Sequence, residues 1–316
     1  MKLRYSKKTT TLFFLAPALL LVFFFYLLPV VLTIWISFTN LYNWRIDLAF
    51  QFIGLENYRN LIHFIMNDPD VSKVAKTTIA FTAMTLVVNV LGGLILAILT
   101  FLLEEKISLT FRLLWLLPRM TPIAVFGLLW YYFFYGSEHG TFNSILLKLG
   151  LIEEPISWGT EPSLQPWASW LIIVYVNGLV GVSFGMIIFY SVFKSIPREL
   201  LIAAQVDGAS TLHIVRHILI PMARWHLVFV TVWQLLSLLT TYPHLFVLVE
   251  WGVVDKDYGT TWALYVFLTA FSRTVNYQAL AAAAAVFLVI IGIILGLVIL
   301  RIMRFEEMIQ PVRGDL

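Results

Sequence analysis

Residues 194–221 read KSIPRELLIAAQVDGASTLHIVRHILIP and separate two long apolar runs of the chain. Pro197 can begin a helix because its missing N–H costs no hydrogen bond there, and Glu199 then lies where the helix dipole favours an anion. Gly208 can end that helix in a left-handed conformation, and Ser210 can cap the next one. The stretch therefore predicts a short helix, a sharp break and a second helix leading into the next apolar run.

The apolar runs around this stretch predict an all-α membrane protein. Hydrophobic residues make up 60% of the 316 residues and charged residues 12%, whereas soluble domains have roughly 45–50% and about 25%. A spanning helix needs about 20 mostly apolar residues, and six segments meet that requirement. Trp262–Phe271 is apolar but too short to cross, so we expect a re-entrant or interfacial helix there. The six predicted transmembrane helices are Leu12–Phe38, Ala75–Leu103, Leu113–Phe134, Trp170–Phe193, Ile218–Val249 and Ala279–Ile302.

The distribution of positive charge orients these spans. With the N-terminus in the cytosol, thirteen of the 21 Lys and Arg residues lie on the cytosolic side and seven outside. Cytosolic loops of membrane proteins carry the excess of positive charge. We therefore expect a multi-pass protein of the cell (inner or plasma) membrane with both termini in the cytosol. The net charge of +3 then reflects topology and does not indicate a nucleic-acid partner.

The spans and loops divide the chain into predicted segments. The first apolar run is longer than the 7–15 apolar residues of a signal peptide, and no small-residue cleavage site follows it, so we interpret it as a retained span. The predicted segments are a cytosolic tail at 1–11, the first span with its outside loop at 12–74, a core of five spans at 75–303 that contains the stretch 197–221, and a cytosolic tail at 304–316.

The same stretch resembles a known signature. Residues 203–209, AAQVDGA, followed by Leu219-Ile220-Pro221, resemble the signature of permease subunits of type I ABC importers. In that family the stretch forms a coupling helix that docks into a cleft of the ATPase subunit. The resemblance covers nearly the whole chain and is best to maltose-type and related carbohydrate permeases. The further similar segments are 52–59 (FIGLENYR), Leu117-Pro118 with Pro122, and Phe142-Asn143 with Gly150.

The resemblance implies a set of partners and a set of coupling residues. The expected partners are two ATPase subunits, a second, non-identical permease subunit, an external solute-binding protein and the lipid bilayer. The chain has no G-x-x-x-x-G-K-[ST] loop to hold ATP phosphates and no Gly-Lys pair. We therefore expect ATP and Mg²⁺ on partner subunits, and a chain that binds no cofactor and is not an enzyme. The implied coupling residues are Glu199, Leu200, Ile202, Ala203, Ala204, Asp207, Gly208 and Ala209.

One position departs from the family pattern. Ile202 stands where the family has a glutamate directly before the Ala-Ala pair. That carboxylate helps to hold the ATPase subunit in the family. Its replacement leaves docking to Glu199, to Asp207 or to apolar packing, and the sequence does not choose among these.

Polar residues within spans are costly and mark transport paths. The resemblance places the sugar pocket on six residues of the fourth and fifth spans. Their amide and hydroxyl groups can match sugar hydroxyls, and an aromatic ring can stack on the sugar. The alternative is that these small, weakly polar residues hold helices together. The six predicted pocket residues are Asn177, Gly181, Phe184, Ser237, Leu238 and Thr241.

Arg119 lies in the third span between Pro118 and Pro122. Prolines free backbone carbonyls and kink helices. Arg119 can therefore satisfy those carbonyls, extend to the membrane interface or line a gate. His213 and His217 are spaced for one helix face, but they have no accompanying ligand set, so we expect no metal site.

Other functions fit the sequence less well. A secondary transporter or channel usually shows inverted repeats, and neither an internal repeat nor a mid-span carboxylate is present. A membrane enzyme would need a nucleophile–base pair or a carboxylate dyad, and the chain also has no cysteine. Within the family the solute stays open, because maltose, trehalose, other oligosaccharides and glycerol phosphate are handled by similar subunits.

Overall fold

The structure is a computed structural model that describes residues 7–43, 50–271, 277–303 and 305. These residues form helices joined by short loops, and their only β-type pairings are two isolated bridges, Thr39 with Phe52 and Gly159 with Val254. The predicted all-α class is therefore confirmed. Residues 1–6 of the predicted N-terminal tail, and all of the predicted C-terminal tail 304–316 except residue 305, lie outside the described residues.

The chain forms two compact units, and the first comprises residues 1–67 and 266–289. Its N-terminal part is one continuous apolar helix in which a π-helical turn, Phe23–Leu27, joins two α-helical stretches. Residues 14–36 of it are long and apolar enough to span a membrane. The helices of this part are α1 (Lys7–Val22), α2 (Leu28–Ile36) and α3 (Glu56–Asn67).

The 52–59 segment anchors α3 to the end of α2. The buried Asn57 donates from Nδ2 to Ser37 O at 2.9 Å and to Thr39 O at 2.7 Å. The hydroxyl groups of Tyr58 and Ser37 lie 2.6 Å apart. Tyr277 donates from its hydroxyl to Asn57 Oδ1 at 3.3 Å. The two Asn57 bonds satisfy carbonyls that the end of a helix leaves unpaired, and the tyrosines hold Ser37 and Asn57 in place.

The second unit comprises residues 68–265 and 290–316, and α15 and α16 contribute residues to both units. Its helices are α4 (Pro69–Leu102), α5 (Glu105–Met120), α6 (Ile123–Phe134), α7 (Thr141–Lys148), α8 (Trp167–Ser195), α9 (Arg198–Val206), α10 (Thr211–Ile214), α11 (Ile220–Met222), α12 (Arg224–Thr240), α13 (Pro243–Glu250), α14 (Lys256–Gly259), α15 (Trp262–Phe271) and α16 (Gln278–Ile302). A π-helical turn, Val215–Leu219, joins α10 to α11, and a 3-10 turn, Pro162–Leu164, precedes α8.

Among the described residues, four helices are long and apolar enough to cross a membrane, and two bent helix pairs bring the number to six if each pair is one span. The pair α5 and α6 bends by 98°, and residues 211–222 bend by 65° against α12. The expected kink of 113–134 is therefore a full break, whereas the expectation that 218–249 forms one helix is wrong. Pro122 forces Thr121 into an extended conformation (φ −70°, ψ 131°) and so separates α5 from α6.

The helix pair α4 and α8 forms the centre of the second unit. A Cβ atom built on Gly93 would lie 2.8 Å from the Cα atom of Gly185, so the two backbones touch where these glycines meet. Small residues at a crossing allow such an approach in membrane helices. A buried apolar cluster continues from this crossing toward α9 and α10, and it includes Phe189, Phe193, Ile214 and Leu219.

Ion pairs tie the two ends of this helix pair to neighbouring helices. On the predicted cytosolic side, Glu105 of α5 accepts from Arg112 Nη2 at 2.8 Å and from Lys194 Nζ at 2.7 Å. On the predicted outer side, Lys73 of α4 pairs with Asp257 of α14. The first group joins α5 to α8 and the second joins α4 to α14.

Candidate functional site

A cavity of about 330 Å³ with both polar and apolar lining residues lies among α5, α6, α8, α12 and α13. Its volume is at the lower end of the range for ligand pockets, roughly 300–1,000 Å³. Four of the six predicted pocket residues line it, and so does Arg119. The lining residues are Pro118, Arg119, Thr121, Ile123, Phe126, Asn177, Val180, Gly181, Gln234, Ser237, Thr241 and His244.

A buried network of amide groups supports the wall of the cavity. Asn89 of α4 donates from Nδ2 to Gln234 Oε1 at 3.0 Å, and Gln234 donates from Nε2 to Gly181 O at 2.8 Å. Asn177 Nδ2 lies 3.4 Å from His244 Nε2. Burying polar groups in a lipid environment is costly unless they are hydrogen-bonded to each other. The network thus allows four helices to present polar groups at membrane depth.

Gly181 serves both this network and the packing of α8. A Cβ atom at this position would collide with the Asn89 side-chain amide, and the Gly181 carbonyl accepts the hydrogen bond of Gln234. The glycine therefore leaves the space in which Asn89 reaches Gln234. Gly181 therefore fits both interpretations of the small residues in the fourth span, because it lines the cavity and also lets the helices pack closely.

The other two predicted pocket residues lie beside the cavity and do not line it. Phe184 stacks on Trp233 with ring centroids 5.9 Å apart, and the Arg119 guanidinium lies 5.1 Å from the Phe184 centroid. The Phe184 ring thus lies against the Arg119 guanidinium. Leu238 is 2% exposed and packs within the buried side of α12.

Two interrupted helices create the cavity. The break at Thr121 and Pro122 precedes α6, and the break at Thr241 and Tyr242 precedes α13. Neither new helix has a side-chain cap on its N-terminus. Ile123, the first residue of α6, and His244, the second of α13, both line the cavity. Both helix N-termini, where unpaired N–H groups gather, are therefore near this space.

Three members of this site are not among the six predicted pocket residues. Gln234 and His244 are polar residues of the fifth span, but only the fold shows that they reach Asn177 and Gly181. Asn89 is a single amide within a long apolar run. A lone polar residue inside a span is itself a signal of a functional or structural role, and it marks Asn89 without showing its partners.

A second candidate site is the elbow, which we define as residues 197–212. The predicted short helix and break are present, although Pro197 is the N-cap of the helix and not its first residue: α9 covers Arg198–Val206 with Glu199 in its first turn. Gly208 has φ +82°, and the N–H groups of Gly208 and Ala209 donate to Gln205 O and Ala204 O at 3.0 and 2.9 Å. This bonding pattern is that of a helix ended by a left-handed glycine. Ser210 Oγ accepts from His213 N at 3.3 Å and caps α10.

The elbow has one anchored face and one exposed face. Leu201, Ala204 and Ala209 pack against the buried cluster that contains Phe193 and Ile196. The other face is exposed and carries both apolar and polar side chains, and Ile202 is one of the apolar ones. The exposed elbow residues are Pro197, Arg198, Glu199, Leu200, Ile202, Ala203, Gln205, Val206, Asp207, Gly208, Ser210, Thr211 and Leu212.

The model of one protein family matches residues 89–305, a range that contains both the cavity and the elbow. The family is described as the inner membrane component of binding-protein-dependent transport systems. The chain belongs to this family. This inner membrane component is therefore a membrane-spanning transport permease, as the resemblance of residues 203–221 implied.

Individual relatives are similar along most of this inner membrane component. The lactose transport system permease protein LacF of Rhizobium radiobacter is 25% identical over 235 residues, 74% of this chain and 76% of the relative. The arabinooligosaccharides transport system permease protein AraP of Bacillus subtilis (strain 168) is 26% identical over 300 residues, 95% of this chain and 90% of the relative. Both relatives are permease subunits of transport systems.

A solved structure shows the same fold. One chain of a bacterial alginate ABC transporter, crystallised in complex with an alginate pentasaccharide-bound periplasmic protein, matches with a TM-score of 0.79 at 17% identity. The match covers 95% of this chain and 96% of that chain. The inner membrane component thus has the fold of an ABC importer permease, and the predicted fold class is confirmed.

Proposed function

We propose that the chain is one permease subunit of an ATP-driven importer that takes up a sugar. An external binding protein delivers the sugar, and two ATPase subunits, which hold ATP and Mg²⁺, drive the transport. A second, non-identical permease subunit completes the path. The chain itself binds no cofactor and catalyses no reaction.

The elbow carries this proposal. It exposes apolar side chains at a sharp, glycine-terminated break, and an exposed apolar patch of this kind usually marks a protein partner. Glu199, Ile202 and Val206 lie three to four residues apart and so share a helix face. Val206 is 81% exposed and Ile202 48%. We propose that apolar packing through this face replaces the family glutamate in docking to the ATPase subunit.

The cavity supports a sugar as the solute. Asn177, Ser237 and Thr241 offer amide and hydroxyl groups to a cavity whose volume suits a small ligand. The relatives LacF and AraP are, by their names, permeases for lactose and for arabinooligosaccharides. Transfer of that class of solute to this chain is part of the proposal.

Purification of the intact importer tests this function. The tagged chain, expressed with its partner subunits and reconstituted in nanodiscs, should co-purify with an ATPase subunit, and loaded binding protein should stimulate ATP hydrolysis. Stimulation measured across a panel of mono- and oligosaccharides and glycerol phosphate identifies the solute. Uptake by the chain without any ATPase subunit would overturn the proposal in favour of a secondary transporter or channel.

The proposed topology places the elbow and both termini in the cytosol, and the chain suits a direct test because it contains no cysteine. Gln205→Cys puts a thiol at an exposed position of the elbow, and Ser163→Cys puts one at an exposed position of a predicted outside loop. In intact cells from which any outer barrier has been removed, a membrane-impermeant maleimide should label S163C at once and Q205C only after permeabilisation. The reverse pattern would contradict the proposed coupling.

A further inference from the structure

The cavity contains a cation that has no carboxylate partner. Arg119 lines it, whereas none of its other lining residues is Asp or Glu. Among the described part of the chain, no carboxylate lies within 4.0 Å of the Arg119 guanidinium. A charge at membrane depth is costly unless it is paired. Arg119 is itself exposed in this chain, so the site presents an accessible cation that has no counter-charge.

The interactions of Arg119 within the chain leave most of its hydrogen-bonding capacity unused. A guanidinium has five N–H donors. Arg119 donates one long hydrogen bond, from Nη1 to Val180 O at 3.5 Å, and its guanidinium lies 5.1 Å from the Phe184 ring centroid. Both contacts are with α8, so the planar donor group lies against this helix while the remaining donors stay available.

A purely structural role for Arg119 at the helix break has little support. Thr121 donates to Leu117 O from both its N–H, at 3.1 Å, and its Oγ1, at 2.8 Å. Leu117 O, next to the break, is thus satisfied without the arginine. Arg119 turns instead toward α8 and the cavity.

The two helix N-termini add to the positive character of this space. α6 begins with Ile123 and α13 places His244 in its first turn, and both residues line the cavity together with Arg119. Helix N-termini carry a partial positive charge and unpaired N–H groups, which favour anions. An unpaired guanidinium and two such helix ends therefore surround one cavity.

We propose that the cavity binds an acidic saccharide, a sugar whose carboxylate, sulfate or phosphate group is held by Arg119. This inference rests on the proposed function and narrows its substrate class. A planar guanidinium matches an oxyanion with two parallel hydrogen bonds. The amide and hydroxyl groups of Asn177, Ser237 and Thr241 then contact the neutral hydroxyls of the same sugar.

Equilibrium binding to the purified importer in nanodiscs, without the binding protein, tests the inference. The probes are glucuronate against its neutral isostere glucuronamide, and glucose 6-sulfate and glucose 6-phosphate against glucose. Calorimetry should give at least one acidic probe about tenfold tighter binding than its neutral counterpart, as expected for hydrogen bonds to a charged group. The three acidic probes distinguish the carboxylate, sulfate and phosphate cases.

In Arg119→Gln the acidic and neutral probes should bind with constants within about twofold of each other. Arg119→Lys should keep part of the preference for the acidic probe. Arg112→Gln is the matched control, because Arg112 lies on the same helix and pairs with Glu105 away from the cavity. Its ratio should stay at the wild-type value. Monodisperse elution with the ATPase subunit establishes that each variant is assembled.

Several outcomes would overturn the inference. They are equal binding of acidic and neutral probes, no binding of any probe by an assembled importer, or an unchanged preference in R119Q. Failure of the proposed function looks different, because the ATPase subunit would then fail to co-purify. An assembled importer that is stimulated only by neutral sugars would keep the proposed function and eliminate the acidic substrate.

Discussion

The cavity and the elbow place polar and apolar groups in opposite ways. In the cavity, Asn177, Gln234 and His244 are at most 7% exposed although they are polar. In the elbow, Ile202 and Val206 are 48% and 81% exposed although they are apolar. Buried polar groups and exposed apolar patches are the informative exceptions to ordinary burial. Both regions therefore depart from ordinary burial, and we propose that one serves a small solute and the other a protein.

One helix connects the two regions. α8 carries Asn177 and Gly181 at the cavity and ends at Ser195, next to the elbow. From Gly181 to Ser195 the helix is about 21 Å long at 1.5 Å per residue. The buried cluster around Phe189 and Phe193 holds α9 and α10 against this end of α8. A rigid-body movement that begins at the elbow can thus reach the cavity. We propose that the membrane helices rock as rigid bodies in this way during transport.

The largest effect is expected from Gly208→Val, which should uncouple the movement of the elbow from transport through the cavity. The φ of +82° at Gly208 is strained for any residue with a Cβ atom, and most of all for a β-branched residue such as valine. Transport by the assembled importer should fall at least tenfold because α9 no longer ends in the same geometry. The ATPase subunit should still co-purify, since the apolar face of α9 is unchanged.

Gly150→Val is the matched control for this prediction. Gly150 also has a left-handed φ, +67°, and at both glycines a Cβ atom would meet nothing within 4 Å. The two substitutions therefore impose similar backbone strain, about 1–3 kcal/mol. Transport in G150V should stay within twofold of wild type. Equal losses in the two variants would mean that strain alone, and not the elbow, is responsible.

Gly181→Ala should have an intermediate effect, confined to the cavity wall. A Cβ atom at this position collides with the Asn89 amide, and overpacking of this kind costs about 1–3 kcal/mol. Thermal unfolding of the purified importer should shift to lower temperature. Gly292→Ala is the control, because the nearest atom to its Cβ would be Leu236 Cδ2 at an ordinary 3.4 Å.

The double variant Asn89→Ala with Gly181→Ala sharpens this prediction. Without the Asn89 amide the added methyl group has room, so the double variant should be destabilised by less than the sum of the two single variants. Additive losses would show that the contact between Asn89 and Gly181 does not set the packing of α4 on α8.

The elbow was predictable from the sequence because its signals are local. Pro197, Glu199, Gly208 and Ser210 each specify backbone geometry within a few residues, and the helix ends follow from them. The cavity was predictable only in part, since it depends on pairs far apart in the chain. Asn89 and Gln234 are 145 residues apart and meet only after α4, α8 and α12 have packed.

The helix breaks show the same limit. Pro118 and Pro122 indicated a kink in the third span, but a kinked helix and two separate helices give the same local pattern. The 98° bend between α5 and α6 depends on how each helix packs in the second unit. Composition alone therefore gave the number of apolar runs, whereas tertiary packing decided which of them stay continuous.

Ser210→Ala should have the smallest effect, because it removes one cap and leaves both faces of the elbow in place. Ser210 Oγ accepts a single long hydrogen bond, 3.3 Å from His213 N, and loss of an N-cap costs about 1 kcal/mol. Amide hydrogen exchange at His213 should become about fivefold faster, while transport stays within twofold. Thr211→Ala is the control, since Thr211 is the exposed neighbour within α10 and not its cap. Unchanged exchange in S210A would mean that packing of Ile214 on the buried cluster, and not the cap, fixes the start of α10, and the elbow would then depend on tertiary contacts as the cavity does.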